Sequence, residues 1–522
     1  MKSPEVEGGA GLDDIKSLNH GSNNPVGDIE RRVQDQVDAI FQDVEKAEKE
    51  RSMQDLLKIL SDIQAKITEG TLEYNRVILG AIAQIRRSVI KLAQQQGNFL
   101  MAADQWSLIF EDAWKLGLNI DDKELIRDAY KASYRGVIAL ILAGEFDEAD
   151  SKLRDDRLLA SGDRDIAEFV ARDPALKCFR NLAYGASYFS TGQWGLAETQ
   201  LREAIKSAND CLPQLSEEEK ALVWNNTAWG LLEIKGADFD NEEGLLDELK
   251  QSLENIDDPD RKKMFSINLL ALQLKYVADQ LLLDPDNEDL LEEGFALGDQ
   301  LLDKILNEET AYSFDAMKEI EEKLRNYEKM PTSLPLGYVP KVFHAISQFS
   351  SLAKRPERLP VVEQCYRIVS QCVEARKSEN KVNTQDEIHY NLLTAIQYLW
   401  VRLSILKDGD NPKDSIEAIK KEIADIDSAV KEVPTNLIYQ YHLQRVHAFA
   451  ELLSDQKELA AIIMQLNLGL AQAIMNVDLQ FGSGEIVSSW LGEIIQSDAR
   501  YFGIVEKGNV LRPFAVSNPA KS

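Results

Sequence analysis

Proline and glycine are scarce, at 15 and 28 in 522 residues. So few turn formers exclude a large β-sandwich or barrel and leave long helices on short connections. Cysteine is scarcer still: Cys178, Cys211, Cys365 and Cys372 form no CxxC pair and match neither a zinc site nor a dense disulfide framework. Buried, reduced thiols are expected, with Cys365 and Cys372, seven residues apart, on one apolar stripe. No run of about 18 apolar residues exists to span a bilayer. Residues 1–27 contain no apolar signal core, so a cytoplasmic protein without a secretory leader is expected. Cations are also short, 59 Lys and Arg against 88 Asp and Glu, for a net charge of −29. That field repels phosphate backbones and anionic lipid, so neither nucleic acid nor membrane insertion is expected. An acidic exterior serves solubility or the attraction of a basic partner surface.

Chemical motifs are missing too. There is no GxxxxGK[ST] loop, and Gly482-Ser483-Gly484 lacks the strand–turn–helix setting of a dinucleotide fingerprint. Five histidines occur, and His442 and His447 are spaced wrongly for an HExxH zinc helix. The acidic runs Asp238/Asp240/Glu242 and Asp284/Asp286/Glu288 lack the glycine and the final glutamate of a calcium loop. They read as solvated loops and helix starts, where carboxylates favour the dipole. No catalytic residue, metal or cofactor is expected, and the chain is read as a non-enzyme.

What is present is helical periodicity. Residues 1–27 read as a tail. From Asp28, Ile29, Val33, Val37, Ile40, Phe41 and Val44 recur at helical spacing, and Leu56, Leu57, Leu60, Ile63 and Ile67 continue as a helical cap. Residues 181–208 then read NLAYGASYFSTGQWGLAETQLREAIKSA. Gly185 and Ala197 are small enough for two antiparallel helices to approach, Tyr188 and Leu201 fill the space between them, Gly192 permits the turn, and Ala204 leaves room for a next helix. Gly144, Phe146, Ala149 and Leu153 repeat this order, as do Gly97, Phe99, Ala102 and Trp106.

Over about residues 85–210 these positions resemble the tetratricopeptide-repeat family. The resemblance implies an all-α fold: a right-handed superhelical α-solenoid of antiparallel helix pairs. Ala102, Ala149 and Ala197 lie 47 and 48 residues apart, against a family period of about 34, so the pairs are elongated. The expected organisation is a tail at 1–27, cap and solenoid at 28–305, a Pro-containing joint at 306–340 (Pro331, Pro335, Pro340), a second helical-repeat region at 341–500, and a hairpin or extended tail at 501–522.

The resemblance also places a groove stripe on the first helix of each pair. Arg87 and Lys91, then Lys131 and Tyr134 with Arg135 adjacent, fall on or near it. Such a basic strip in an acidic chain would attract an acidic peptide or a carboxylate terminus. The same cations could equally pair with the chain's own Asp and Glu. The family's carboxylate clamp is absent at the best-matched repeat, where Leu182 and Ala186 stand in its places. Trp194, Trp224 and Trp229 read as core. The expected function is a non-catalytic adaptor or scaffold that binds a peptide or protein surface in a solenoid groove. The alternative is a regulatory sensor whose groove binds a signalling peptide or small ligand and controls a partner enzyme or transcription factor.

Overall fold

The structure is a computed structural model that describes residues 40–48, 50, 52–69, 76–96, 98–159, 164–191, 193–236, 239, 244–284, 286–306, 313–325, 339–353, 358–378, 385–406, 413–431 and 436–481. The expected tail at 1–27, the helix start at Asp28, the turn glycines Gly97 and Gly192, and the hairpin or tail at 501–522 lie outside these residues. Among the described residues every regular element is helical. No described helix is long and apolar enough to cross a membrane.

A helical stretch at 40–48 precedes α1 (Met53–Thr68), α2 (Arg76–Gln95), α3 (Phe99–Ile120), α4 (Lys123–Leu142), α5 (Phe146–Leu159), α6 (Arg164–Arg172), α7 (Pro174–Ser190) and α8 (Trp194–Asn209). There follow α9 (Glu217–Lys235), α10 (Leu245–Glu254), α11 (Pro259–Leu283), α12 (Glu288–Leu306), α13 (Phe314–Arg325), α14 (Val339–Leu352), α15 (Arg358–Ser378), α16 (Gln385–Leu406), α17 (Lys413–Val430), α18 (Asn436–Leu453) and α19 (Lys457–Phe481). Side-chain caps set several starts. Ser52 accepts the Asp55 N–H at 3.2 Å, and Asp122 accepts those of Glu124 and Leu125, relieving amides that a helix start leaves unpaired. The turn from α4 to α5 uses Gly144 at φ 83°, a left-handed conformation that costs glycine nothing.

The helices form two compact units. The first comprises residues 1–183, 204–223 and 335–337; the second comprises 184–203, 224–334 and 338–522. In the first, α1 packs on α2, α2 on α3, α3 on α4 and α4 on α5. Its N-terminal end is closed by Val44, Ala47, Leu56, Ile63, Ile78, Ile82, Ile85, Val89 and Leu92, a joint apolar cluster of the 40–48 stretch, α1 and α2. Burial of apolar surface in such a cluster is the main force holding the end helices down.

In the second unit α14 packs on α11, α15 and α16, and α16 on α17 and α18. Consecutive helices touch, and so do alternate ones. Residues 339–350 of α14 are all buried, Lys341, His344, Ser347, Gln348 and Ser350 among them. Pro340, expected within a joint, sits in the first turn of α14, where its missing N–H costs no helix bond. The expected joint also contains α13.

Close approach follows the glycine positions. In the second unit a Cβ on Gly185 would stand 2.8 Å from Leu201 Cδ2, and one on Gly230 2.6 Å from Leu201 Cδ1. Leu201 of α8 is thus wedged between a glycine of α7 and a glycine of α9. In the first unit Gly136 of α4 faces Trp106 of α3, with a would-be Cβ 3.3 Å from Trp106 Cβ. Large residue and following glycine are 29 residues apart in one case and 30 in the other, so the packing device recurs. Trp224 and Trp229 lie in the core as expected. Cys178, Cys211 and Cys365 are free and buried, whereas Cys372 is only half-buried.

Candidate functional site: a cation ladder on α4

Helix α4 carries Lys123, Arg127, Lys131 and Arg135 at four-residue intervals, so the four cations stand one above another on one face. Asp122 caps the helix that aligns them. Aromatic rings back each rung. Lys123 Nζ and the Arg127 guanidinium lie 5.9 and 5.6 Å from the centroid of Phe169. Lys131 Nζ lies 5.7 Å from Phe179, and Arg135 lies 5.2 Å from Phe179 and 5.1 Å from Trp106. Rings at these distances attract a cation through their negative faces and displace water beside it.

Two carboxylates close the inner rungs. Asp173 Oδ2 accepts Arg127 Nε at 2.8 Å, while its other oxygen caps α7 by accepting the Leu176 N–H at 3.0 Å. Glu219 takes both Lys131, at 3.2 Å, and Arg135, at 3.0 Å, one on each carboxylate oxygen. Its position is fixed by a capping box at the start of α9: Ser216 N–H donates to Glu219 Oε2 at 3.1 Å and Glu219 N–H donates to Ser216 Oγ at 3.2 Å. Burial opposes the charge on Glu219, but Arg135, Lys131 and the Ser216 N–H outweigh it and hold the carboxyl below its ordinary range. Cys178 and Cys211 lie in the same region, and burial raises both thiols, Cys211 to about 11, so neither is a nucleophile near neutral pH.

The ladder grades outward. Lys131 and Arg135 are 10% and 20% exposed at the side chain and Arg127 25%, while Lys123 is open to solvent. Arg87 of α2 is exposed as well, and Asp128 lies within electrostatic reach of Arg87, Lys131 and Arg135. Asp173 and Glu219 pair with Arg127, Lys131 and Arg135, and Asp128 faces Arg87, Lys131 and Arg135, in a chain of strongly negative charge.

Of the residues expected in the groove, Lys131 and Arg135 are brought together on Glu219. Arg87 lies on the neighbouring helix and Lys91 is half-buried one turn further on. Tyr134 is placed in the core: it is 1% exposed, and its ring packs 6.3 Å from that of Tyr130, which in turn meets Trp114 edge-on at 5.5 Å. An aromatic ring gains more from that cluster than from a charged strip. Sequence reasoning missed Lys123, Arg127, Phe169, Phe179, Asp173 and Glu219. The four-residue cation repeat was the available signal for the first two.

A second polar cluster lies in the other unit. Lys275 of α11 pairs with Asp279 at 2.9 Å and with Glu233 of α9 at 3.8 Å. Tyr390 of α16 donates its phenol to Glu233 at 3.1 Å, and Gln348 of α14 donates to Asp279 at 2.5 Å. His344 stands 3.3 Å from the Thr394 hydroxyl. Burial by itself lowers Lys275, but Asp279 and Glu233 outweigh it and raise the ammonium above its ordinary range. Among the described residues no group of three or more His, Cys, Asp or Glu is arranged to hold a metal ion.

No protein-family model matches the chain, and no curated protein matches it. Among solved structures, one described as a circular tandem repeat protein with novel repeat topology and enhanced subunit contact surfaces aligns over 91% of this chain and 97% of its own. The identity is 14% and the TM-score 0.22.

Proposed function

We propose that this protein is a non-catalytic adaptor, a tetratricopeptide-like solenoid that holds an acidic segment of a partner protein along the α4 ladder. The observation that carries the reading is Glu219 on Lys131 and Arg135. The inner rungs already take a carboxylate presented by the first turn of a helix, while the outermost rung, Lys123, and Arg87 of α2 offer the same charge to solvent. An acidic partner segment would extend along the ladder from Glu219 toward Lys123, gaining charge-assisted contacts beside rings that exclude water. The exposed Lys123 and Arg87 also favour selectivity, because the acidic residues that predominate elsewhere in the chain repel the same partner.

The recurrent wedge of a large side chain against the next glycine, Leu201 on Gly230 and Trp106 on Gly136, supports the solenoid part of the proposal. Two successive-helix steps, α8 to α9 and α3 to α4, are seated by the same device.

The experiment is fluorescence anisotropy with a labelled octaglutamate peptide at low salt, comparing the wild-type chain with Arg87→Glu/Lys123→Glu. Both residues are exposed, so folding is preserved and circular dichroism verifies it. Two reversals are expected to weaken binding about tenfold or more, with a shallower salt dependence. Unchanged affinity in a folded variant would refute the proposal.

A further inference from the structure

Helix α19 meets α18 through Ala460, Ile463 and Met464, which join the apolar core built on Tyr439, Leu443 and Phe449. Asn467, on the same face, is buried and donates to the Tyr441 carbonyl at 3.0 Å, which fixes the rotation of the helix. An adjoining face then looks into solvent. There Leu459, Ile462 and Leu466, at steps of three and four, are 42%, 54% and 73% exposed. From Leu459 to Val477 the helix carries no charged residue, in a chain where 28% of residues are charged. A helix with solvent on one side ordinarily sets charges there. So apolar a face marks a place that something covers.

The sequence after α19 supplies a match. Gly482-Ser483-Gly484 separates the helix from a segment in which Ile486, Val487, Trp490, Leu491, Ile494 and Ile495 recur at helical spacing. Ser489, Glu493, Gln496 and Arg500 recur at the same steps on the opposite side. Tyr501 and Val505 continue the apolar side. A connection of three residues, two of them glycine, sets neighbouring helices antiparallel. Folding back at Ser483 puts Tyr501 beside Leu466 and Val505 beside Ile462, with a four-residue step in both partners.

We infer that the exposed face of α19 is the docking face for residues 486–505 of the same chain, folded back along it as an antiparallel helix. A second copy of the chain is the rival occupant, and two observations weigh against it. The segment is tied to α19 by three residues, which gives it an effective concentration of about millimolar. Three exposed side chains also fall well short of the roughly 1,200 Å² that a stable dimer buries. The face belongs to the second unit and owes nothing to the α4 ladder, so either reading can fail alone.

The test uses the full chain with Leu466→Cys/Tyr501→Cys, oxidised by copper phenanthroline at low protein concentration. Leu466 is the most exposed of the three, so its replacement leaves the α18 core untouched. Mass spectrometry of tryptic peptides identifies the product. An intrachain disulfide between positions 466 and 501 is expected, forming about tenfold or more faster than in Glu458→Cys/Tyr501→Cys, which is two turns out of register. A disulfide between two chains, which would make a second copy the occupant, overturns the inference. So do equal rates in the two variants. Without added cysteines, trypsin cleavage after Arg500 is expected to quicken about tenfold in Ile462→Asp/Leu466→Asp, with circular dichroism verifying the fold. Equal cleavage in a folded variant refutes the docking, and should that variant unfold, the cysteine pair decides alone.

Discussion

Lys131 and Glu219, 88 residues apart in the chain, meet at 3.2 Å. Through Arg135 on its other oxygen, Glu219 ties α4 to the first turn of α9. Both partners of the ion pair are largely buried, so removing one strands the other. Glu219→Ala is expected to cost about 3 kcal/mol, and Lys131→Met/Glu219→Ala less than the sum of its single changes. Urea unfolding followed by circular dichroism measures both, and strict additivity would contradict a direct pairing.

Leu201 fills a space that two glycines leave. Gly230→Ala pushes a methyl into Leu201 and is expected to destabilise by about 1–3 kcal/mol. In a Leu201→Ala background, itself costing about 2–5 kcal/mol through its cavity, the same change should be close to neutral. Thermal melts of the four proteins settle this, and an undiminished penalty in the double variant counts against the wedge.

Much of this was legible. The periodicity of Leu56 to Ile63 announced a helix, and the order Gly185, Ala197, Leu201 announced how α7 and α8 approach. The face of Cys372 was harder, although a seven-residue step on a straight helix drifts only about 20°. So small a drift leaves the two on nearly the same face, yet Cys365 is buried and Cys372 only half-buried. The ladder was half legible. Its four-residue spacing is written in the sequence, but Glu219 and Asp173 come from 88 and 46 residues away, and nothing local marks them among so many carboxylates. The cluster around Lys275 was invisible for the same reason, since it takes residues from four helices.

Burial and the neighbouring Arg445, whose Nη1 lies 3.5 Å from His442 Nδ1, hold His442 down to about 3. An unfolded chain would take up the proton near pH 6.5. Between those values the unfolded state binds more protons, so stability is full above pH 6.5 and falls as pH drops toward 3. His442→Gln is expected to flatten the loss of melting temperature between pH 7 and pH 4.5. An identical slope in wild type and variant would remove His442 as the cause.

Lys275 has two carboxylates and no solvent. Lys275→Met leaves Glu233 and Asp279 buried together, and a loss of about 3–5 kcal/mol is expected. Asp279→Asn in the same background removes that charge repulsion and should recover part of the loss. Denaturant midpoints read both changes.

The contact between Tyr390 and Glu233 spans 157 residues, and it has a consequence for how the chain is made. During synthesis α9 emerges long before α16, so the groups around Lys275 wait, half assembled, while the intervening helices are built. Closing so long a loop is slow compared with forming any of its helices. The cluster around Lys275 is therefore completed only once α16 has been made. A ribosome stalled before α16 would hold a chain that is helical but not yet locked.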